Sequence, residues 1–441
     1  MNVREIVLDM LMELSKGNTY CNLLIRDVLN KYNYLDARDK AFIKKVTEGV
    51  IERKIELDYV INLFSNTKVN KMKPLIREIL RMSVYQILYM EQVPDSAVCN
   101  EALKLAEKRK FYNLKGFVNG VLRNIARNKG NISYDNISTK YSMPEWLVDR
   151  LSSAYDEQTV EMILRSFLEE KAVSVRRKES LSSEQWKTIE QELENAGVTV
   201  SLHPYLPYAY ELKKAEGLQN IEAFQKGDFT VQDVSSMLVA ECAGVSKENI
   251  VMDLCAAPGG KSMHIAEKLQ GTGKVYSFDV SEKKTEYILE NVKRLGYENV
   301  EVAVQDATVF QENLEESADV VIADVPCSGI GVIGKKCDIK YRINEKEIGN
   351  IVALQKKIME NAWRYVKKGG TLIYSTCTIS RDENEDMVRW LVENTPLITE
   401  SLDTYLPKEL VSDTTKEGYL QLLPGIHRCD GFFIARLKRE E

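Results

Sequence analysis

The stretch Asp253-Leu-Cys-Ala-Ala-Pro-Gly-Gly-Lys261 follows a short apolar run and precedes a helical pattern. Small residues and paired glycines let a backbone approach a ligand at the carboxyl end of a strand, where doubly wound sheets bind their ligands. The stretch is not a Walker A loop, because Cys255 stands where that motif needs glycine, and it lacks GxGxxG spacing. A tight strand-to-helix connection without a ligand remains the alternative.

Short apolar strands and helical stretches alternate on both sides of this turn. Helices are predicted over 282–295 and 345–366, and the strands are 250–255, 275–280, 300–305, 320–325 and 371–375. This alternation predicts an α/β, Rossmann-like fold with a doubly wound, mostly parallel sheet. Two late β-rich runs, 418–423 and 431–437, are expected to close the sheet edge as an antiparallel hairpin.

Aspartates end the predicted strands. Asp279 ends the second strand, where a carboxylate can accept hydrogen bonds from both ribose hydroxyls of a nucleoside cofactor. Asp306 ends the third and could meet an adenine amino group, and Asp324 ends the fourth. A single aspartate at such a position is more often a cap or turn residue. With Asp253 they make four carboxylates at one sheet edge, which favours a cofactor site.

Two cysteines follow neighbouring strands of the predicted sheet, Cys327 after the fourth and Cys377 after the fifth. If those strands are adjacent, both thiols enter one pocket, with Asp324 and Lys261 close by. Two thiols beside a cation favour nucleophilic chemistry. A lone cysteine is usually an inert buried hydrophobe.

Metal binding is the rival interpretation of the thiol pair. Zinc needs three or four ligands. The three histidines, His203, His264 and His427, have no ligand-like spacing with these thiols. No metal site is therefore predicted.

The first part of the chain differs in character from the rest. Apolar residues recur at helical spacing through 1–127, which predicts a helical bundle. Residues 1–140 hold 24 Lys/Arg against 16 Asp/Glu, whereas the remainder holds 36 against 50. An excess of cations suggests docking on a polyanion, although a solvated lysine-rich surface is an equally plain explanation.

The domain boundaries are placed by composition. The polar stretch 128–143 is the predicted linker, 144–235 is a helical and α+β subdomain, and 236–441 is the domain with the doubly wound sheet. Tyrosines at 205, 208 and 210 could stack on bases, but such aromatic residues more often make core contacts.

The overall composition is that of a globular protein. The 441 residues are 44% hydrophobic and 29% charged, with a net charge of −6. No run approaches the roughly 18 apolar residues of a membrane span, and the eight cysteines form no dense disulfide framework. We therefore expect a cytoplasmic protein that makes no use of a membrane.

Several motifs together carry a resemblance. DLCAAPGGK (253–261), DVPCSG (324–329) and STCT (375–378), with QDVSS (232–236) upstream and LPGIHRCDGFF (423–433) downstream, resemble the RNA cytosine-C5 methyltransferases that use S-adenosylmethionine. VPDSAVCNEALKLAEKR (93–109) and GFVNGVLRNIAR (116–127) resemble the NusB-type RNA-binding module. The combination is similar to bacterial enzymes that methylate 16S ribosomal RNA, with cytosine 967 as the family target.

The resemblance implies S-adenosylmethionine as cofactor and 16S rRNA, naked or in an early assembly particle, as partner. It also implies a monomer without a metal ion. The cofactor-binding residues that it implies are Cys255, Ala256, Ala257, Pro258, Gly259, Gly260, Lys261, Asp279, Asp306 and Asp324.

The resemblance further implies four catalytic roles. Cys377 would attack C6 of a flipped-out cytosine, Asp324 would hydrogen-bond the N3 side of the ring, and Lys261 would support that carboxylate or the base. Cys327 would help remove the C5 proton. DNA methyltransferases place their nucleophile in the PC motif, so the presence of both PC and TC motifs favours the RNA class. Val325 replaces the alanine more frequent in the family, which should leave the chemistry intact.

Two other functional classes stay open at this point. The chain could be an RNA-binding or antitermination factor with an inactive methyltransferase scaffold, which the intact set of four catalytic residues argues against. A small-molecule methyltransferase would explain the glycine-rich turn but neither the thiol pair nor the basic N-terminal region.

Overall fold

The structure is a computed structural model that describes residues 2–440. The chain divides into two compact units. The N-terminal unit comprises Met1–Leu168 with Ile333–Arg342, and the C-terminal unit comprises Glu169–Val332 with Ile343–Glu441. Each unit is described by itself below.

The N-terminal unit is helical, as the sequence predicts. Its helices are α1 (Val3–Leu14), α2 (Cys21–Lys31), α3 (Ala37–Glu52), α4 (Lys54–Phe64), α5 (Pro74–Tyr89), α6 (Asp95–Lys108), α7 (Lys115–Asn128), α8 (Ile137–Lys140), α9 (Glu145–Ala154) and α10 (Glu157–Ser166). Helix α5 begins with proline at its first turn, where the missing N–H has no intrahelical role. It is central to the bundle, because eleven of its sixteen residues are buried and it contacts α1, α3, α4, α6 and α7.

The segment 333–342, hereafter the inserted segment, interrupts the C-terminal unit in sequence but belongs to the N-terminal unit. Lys340 is only 2% exposed, and its amine donates to the carbonyls of Glu52 and Ser142, both at 2.6 Å. Asp338 accepts a hydrogen bond from the backbone N–H of Cys21 at 3.0 Å. These polar anchors satisfy groups that burial would otherwise leave unpaired, so the segment is an integral part of the helical bundle.

The polar stretch predicted as a linker, 128–143, also lies within the N-terminal unit. It contains the short helix α8, and the Ser142 hydroxyl accepts from the backbone N–H groups of Ile55 and Glu56 at 3.1 and 3.3 Å. The compact unit extends to Leu168, so α9 and α10 group with the helical bundle rather than with the following subdomain. The local composition of 128–143 could not reveal its place in the bundle, because the hydrogen bonds to Ser142 join residues more than 80 positions apart.

The C-terminal unit begins with a small antiparallel sheet of order β2-β3-β1-β4, which matches the predicted α+β subdomain. Its elements are β1 (Val173–Arg177), α11 (Ser183–Asn195), β2 (Thr199–Leu202), β3 (Ala209–Lys213), α12 (Glu222–Gln225) and β4 (Phe229–Val231). Ser182 caps α11 through the predicted capping box with Gln185. Tyr210 packs on Trp186 with ring centroids 4.5 Å apart, and Tyr208 donates to Glu241, so these two tyrosines make interior contacts.

The rest of the C-terminal unit is a doubly wound sheet. Its elements are α13 (Val234–Ala243), β5 (Ile250–Asp253), α14 (Gly260–Lys268), β6 (Lys274–Asp279), α15 (Glu282–Leu295), β7 (Val300–Val304), β8 (Ala318–Asp324), α16 (Glu345–Tyr365), β9 (Val366–Thr376), α17 (Glu385–Asn394), β10 (Leu397–Thr399), α18 (Asp413–Lys416), β11 (Tyr419–Leu422) and β12 (Phe432–Arg439). The strand order is β10-β12-β9-β8-β5-β6-β7, with β5 to β9 mutually parallel. The predicted fold class is confirmed.

The predicted antiparallel hairpin exists, but it does not by itself form the edge of the sheet. Strand β12 pairs with β9 on one side, and on the other side it pairs with β11 near its start and with β10 near its end. The three residues of β10 are too few to show a period in the sequence. Within residues 2–440, no helix is long and apolar enough to span a membrane.

Candidate active site

The carboxyl ends of the parallel strands bring the predicted aspartates to one edge of the sheet. Asp253, Asp279 and Asp324 are the last residues of β5, β6 and β8, and Asp306 follows β7 by two positions. Strands β8 and β9 are neighbours, with Asp324 in register with Ser375. This adjacency is the condition under which the two cysteines, each a few residues further on, converge.

The turn between β5 and α14 is held by backbone hydrogen bonds to both neighbouring strands. The N–H of Leu254 donates to Ile322 of β8 at 3.0 Å, and the N–H of Ala256 donates to Phe278 of β6 at 2.8 Å. Gly259 has a φ of +99°, and a Cβ there would lie 3.1 Å from a methyl carbon of Ile288. Glycine is therefore required at this position, both for the backbone conformation and for the close approach of α15.

The turn residues differ in their exposure to a ligand. Ala256 is buried, Cys255 and Ala257 are half-buried, and Pro258 is exposed. Burial raises the pKa of the Cys255 thiol, which keeps that sulfur protonated. Cys255 is accordingly suited to packing against a ligand and not to nucleophilic attack.

The carboxylates beside the turn fit a nucleoside cofactor. Burial raises the pKa of Asp253 to about 6, and Ser262 donates to its Oδ2 at 2.6 Å, whereas its buried Oδ1 has no partner among residues 2–440. Asp279 is 5% exposed and uses one oxygen to accept from the N–H of Ser281 at 3.1 Å. An unpaired buried oxygen and a second available carboxylate are the acceptors that an amine and a ribose diol need.

Asp306 lies further out and is exposed. The Thr308 hydroxyl and N–H donate to its Oδ1 at 2.7 and 2.9 Å, and these hydrogen bonds lower the pKa of Asp306. The carboxylate therefore stays ionised and fixed in orientation, with its second oxygen available to accept from an amino group.

The thiols of Cys327 and Cys377 lie 3.3 Å apart. Both side chains are half-buried. The hydrogen bond with Cys377, together with burial, raises the pKa of Cys327. Either sulfur can be the donor of this contact, and an S–H donated by Cys327 would stabilise negative charge on Cys377.

Asp324 and Lys261 form an ion pair beside the thiols, with the Lys261 amine 2.6 Å from Oδ2 of Asp324. Ser375 donates to the other carboxylate oxygen at 3.0 Å, and the ring of Phe432 lies 5.3 Å from the amine. Burial opposes the charge on Lys261, but the combined attraction of Asp324, Asp253 and Cys377 raises the pKa of the amine. Lys261 also interacts electrostatically with Cys377, and a cation at this place stabilises a thiolate.

Glu383 joins the two loops that carry the thiols. Its side chain is fully buried, and it accepts from the Ser328 N–H at 2.8 Å and from the Ser328 hydroxyl at 2.5 Å. The hydroxyls of Ser328 and Thr378 are 2.7 Å apart, so each neighbour of a candidate thiol is tied to the same network. Burial raises the pKa of Glu383, and the bonds from Ser328 counteract that shift.

A close backbone contact fixes the same loops from another side. The N–H of Gly331 donates to the Cys377 carbonyl at 3.2 Å, and the N–H of Gly431 donates to the Gly331 carbonyl at 3.0 Å. A Cβ on Gly331 would lie 2.1 Å from the Gly431 carbonyl oxygen. The LPGIHRCDGFF motif thus contributes to the site by packing its backbone against the Cys327 loop and by placing Phe432 beside Lys261.

The structure brings together all four predicted catalytic residues, and it places beside them two residues that sequence reasoning missed. Ser375 lies inside the quoted STCT motif but received no role, and Glu383 lies six positions beyond Cys377 in a polar stretch without any distinguishing pattern. Within the described range 2–440, no group of three or more His, Cys, Asp or Glu residues could hold a metal ion. The site thus combines the thiol pair, the ion pair of Lys261 and Asp324, and a cofactor cradle. The cofactor cradle is the turn between β5 and α14 together with the carboxylates of Asp253, Asp279 and Asp306.

Comparison with known proteins yields two family matches. Residues 243–438 match the family described as 16S rRNA methyltransferase RsmB/F, and residues 1–127 match the NusB family. Both resemblances inferred from the sequence motifs are thereby confirmed.

Curated relatives match over almost the whole chain. "Probable ribosomal RNA small subunit methyltransferase B" of Bacillus subtilis is 36% identical, covering 100% of this chain and 99% of the relative. The protein of the same description from Synechocystis is 30% identical, with 99% of each chain covered. "Ribosomal RNA small subunit methyltransferase B" of Cronobacter sakazakii is 29% identical over 91% of this chain and 90% of its own.

Solved structures share the fold. The crystal structure of PH0851 superimposes with a TM-score of 0.81 at 27% identity, covering 100% of this chain and 99% of that one. The structure of NSun6 from Pyrococcus horikoshii has a TM-score of 0.58 at 21% identity, over 68% of this chain and 98% of its own. The second likeness concerns the fold alone.

Proposed function

This chain belongs to the RsmB/F family of 16S rRNA methyltransferases, and on that premise we propose that it methylates C5 of a cytosine in 16S rRNA. The cofactor is S-adenosylmethionine, which supplies a methyl group activated by a sulfonium. The family target, cytosine 967, is the nucleotide we assign. The observation that supports this reaction is the 3.3 Å thiol pair beside the Asp324–Lys261 ion pair.

Cys377 is the proposed nucleophile. Its sulfur attacks C6 of the cytosine, a bond forms between sulfur and C6, and the electrons of the C5–C6 double bond shift to C5 and toward N3. C5 thereby becomes nucleophilic enough to take the methyl group, and S-adenosylhomocysteine leaves as the methyl–sulfur bond of the cofactor breaks. Support comes from Lys261, whose positive charge lies close enough to interact with Cys377, and from Cys327, which can donate a hydrogen bond to the attacking sulfur.

Asp324 is the proposed contact to the N3 side of the ring, where charge develops as C6 is attacked. Its carboxylate is held on both oxygens, by Lys261 and by Ser375, and its side chain is 26% exposed. The charge that moves toward N3 is negative, so N3 takes up a proton, and the preorganised carboxylate accepts the hydrogen bond from that N3–H. Lys261 acts as the positioning partner of this carboxylate.

Cys327 is the proposed participant in the last step. After C5 has been methylated, its proton must leave so that the C5–C6 double bond can re-form and the bond from C6 to Cys377 can break. Cys327 lies 3.3 Å from the nucleophile and assists this proton transfer, directly or through a water molecule.

The N-terminal unit is the proposed docking module for the RNA substrate, either naked or in an early assembly particle, with the protein acting as a monomer. The excess of 24 Lys/Arg over 16 Asp/Glu in residues 1–140 supports binding to phosphates. The match of residues 1–127 to the NusB family is consistent with this role.

Methyl transfer from labelled S-adenosylmethionine to purified 16S rRNA, followed by bisulfite sequencing of rRNA from cells with and without this protein, tests the proposal. We expect label in the RNA and a protected cytosine at 967 that is lost with the protein. RNA binding without methyl transfer would instead make the chain an RNA-binding factor on an inactive scaffold. Protection at another cytosine would refute the assigned nucleotide alone.

A further inference from the structure

A groove of about 500 Å³ opens in the N-terminal unit between α4, the turn 68–72 and the start of α5. Its lining includes four cationic side chains, Lys68, Lys71, Arg77 and Arg81, and one acidic side chain, Asp58. The chain that forms it contains no Asp or Glu from 59 to 77. The lysines and Arg77 of the groove therefore lie on a segment of chain without acidic residues.

Lys68 and Lys71 stand on a short 3-10 turn, Val69–Lys71, that is fixed at both ends. The N–H of Val69 donates to the Asn62 side chain at 2.9 Å, and the N–H of Lys71 donates to the Lys68 carbonyl at 2.9 Å. Side chains three positions apart in a 3-10 turn lie on the same side. Both lysines are exposed, and neither makes a side-chain hydrogen bond or ion pair with any residue in 2–440.

Arg81 forms the rigid wall of the groove. Its guanidinium binds both carboxylate oxygens of Asp58, at 2.7 and 2.6 Å, and Glu78 at 2.7 Å. The only acidic lining residue is therefore already neutralised by this arginine. Arg77 also contacts Glu78, at 3.3 Å, so the two arginines together balance Asp58 and Glu78 and the charge that remains for a ligand is that of Lys68 and Lys71.

We propose that this groove binds the phosphodiester backbone of the substrate RNA, an inference that rests on the proposed function. A concave surface with unpaired lysines on one fixed turn matches the charge of successive phosphates. The binding is electrostatic and independent of sequence. It contributes affinity and register, and the chemistry stays with the C-terminal unit.

The test compares two double variants of the full-length protein. Lys68→Gln/Lys71→Gln removes the groove charges, and Lys44→Gln/Lys45→Gln removes two exposed charges on α3 of the same unit, outside the groove. Full-length variants are used because the inserted segment completes the N-terminal unit, so deletion of residues 1–127 would remove the Glu52 carbonyl that Lys340 donates to and the Cys21 N–H that donates to Asp338. Binding to a 16S rRNA fragment is measured at several salt concentrations.

Each phosphate contact contributes about 0.7 to 0.9 to the slope of log K against log salt. The groove variant should therefore show a slope lower by about 1.4 to 1.8, with a higher KM for RNA, while the α3 control matches the native protein. An unchanged slope in the groove variant, or an equal loss in the control, would overturn the proposal. So would stronger competition at the groove by polyglutamate than by RNA, since that result would assign it to an acidic protein.

The catalytic readout separates this inference from the proposed function. If the native protein methylates 16S rRNA and the groove variant binds RNA as tightly as it does, only the groove assignment fails. If the native protein transfers no methyl group to 16S rRNA, the proposed function fails first. At saturating RNA the groove variant should keep the native kcat, because the thiol pair and the carboxylates lie elsewhere in the chain.

Discussion

Exchange of Glu383 for glutamine probes how strictly the two thiol loops must be held. In the native protein both oxygens of this buried carboxylate accept from Ser328, at 2.8 and 2.5 Å. Glutamine has the same shape, but its NH2 group would face a donor of Ser328, so one charge-assisted hydrogen bond is lost. Such a bond contributes about 1.5 to 3 kcal/mol. The free-energy difference that favours the native position of the Cys327 loop would fall by the same amount.

We expect Glu383→Gln to lower the single-turnover rate of methyl transfer by about tenfold to a hundredfold, because about 1.4 kcal/mol corresponds to a factor of ten. The affinity for S-adenosylmethionine should not change, since Glu383 contacts none of the carboxylates of the cofactor cradle. Glu385→Gln is the matched control: this neighbouring carboxylate is also partly buried but makes no contact with Ser328. A native rate for Glu383→Gln, or an equal loss for the control, would refute the positioning role.

Two further predictions concern the cofactor cradle and the inserted segment. Asp279→Ala and Asp306→Ala should each weaken S-adenosylmethionine binding about tenfold to a hundredfold in calorimetric titrations, and unchanged titrations for both would remove these carboxylates from the site. Burial lowers the pKa of Lys340 from 10.5 to about 8, so its stabilising contribution is complete above pH 10.5 and is lost as pH falls through 8. Lys340→Met should abolish this rise in the free energy of unfolding, about 1.4 kcal/mol per pH unit at most, and equal pH slopes for both proteins would contradict the assignment.

The sequence alone predicted which residues meet at the edge of the sheet that carries the candidate site. This prediction needed only the alternation of strands and helices and the rule that parallel strands end at a common edge. Alternating strands and helices predict a doubly wound sheet, and parallel strands end at a common edge. The convergence of Cys327 and Cys377 needed only the adjacency of β8 and β9, which the structure has. The short motifs around these residues then carried the family resemblance.

The features that the sequence did not reveal depend on contacts between distant residues. The inserted segment is a short polar run whose partners lie 198 to 325 positions away, at Ser142 and Gly17 among others. Nothing in its own composition distinguishes it from a surface loop. In the sequence, Glu383 is one of several acidic residues in a charged stretch. Only its burial and its hydrogen bonds from Ser328 show that it holds the loops of the two thiols in place.

The grouping of 144–168 with the helical bundle has the same origin. A helix period indicates that a helix forms and which face is apolar, but it does not identify the surface on which that face packs. The linker prediction rested on polar composition, whereas the hydroxyl of Ser142 is used inside the unit to accept from the start of α4.

Trapping of the RNA–protein adduct tests the central claim most directly. Purified Cys327→Ala, Cys377→Ala and a thiol control, Cys429→Ala, are incubated with 16S rRNA and S-adenosylmethionine and then separated by denaturing electrophoresis. We predict an RNase-sensitive covalent complex for Cys327→Ala, no complex and no methyl transfer for Cys377→Ala, and native turnover for Cys429→Ala. A covalent complex in Cys377→Ala with none in Cys327→Ala would contradict the account and assign the nucleophile to Cys327.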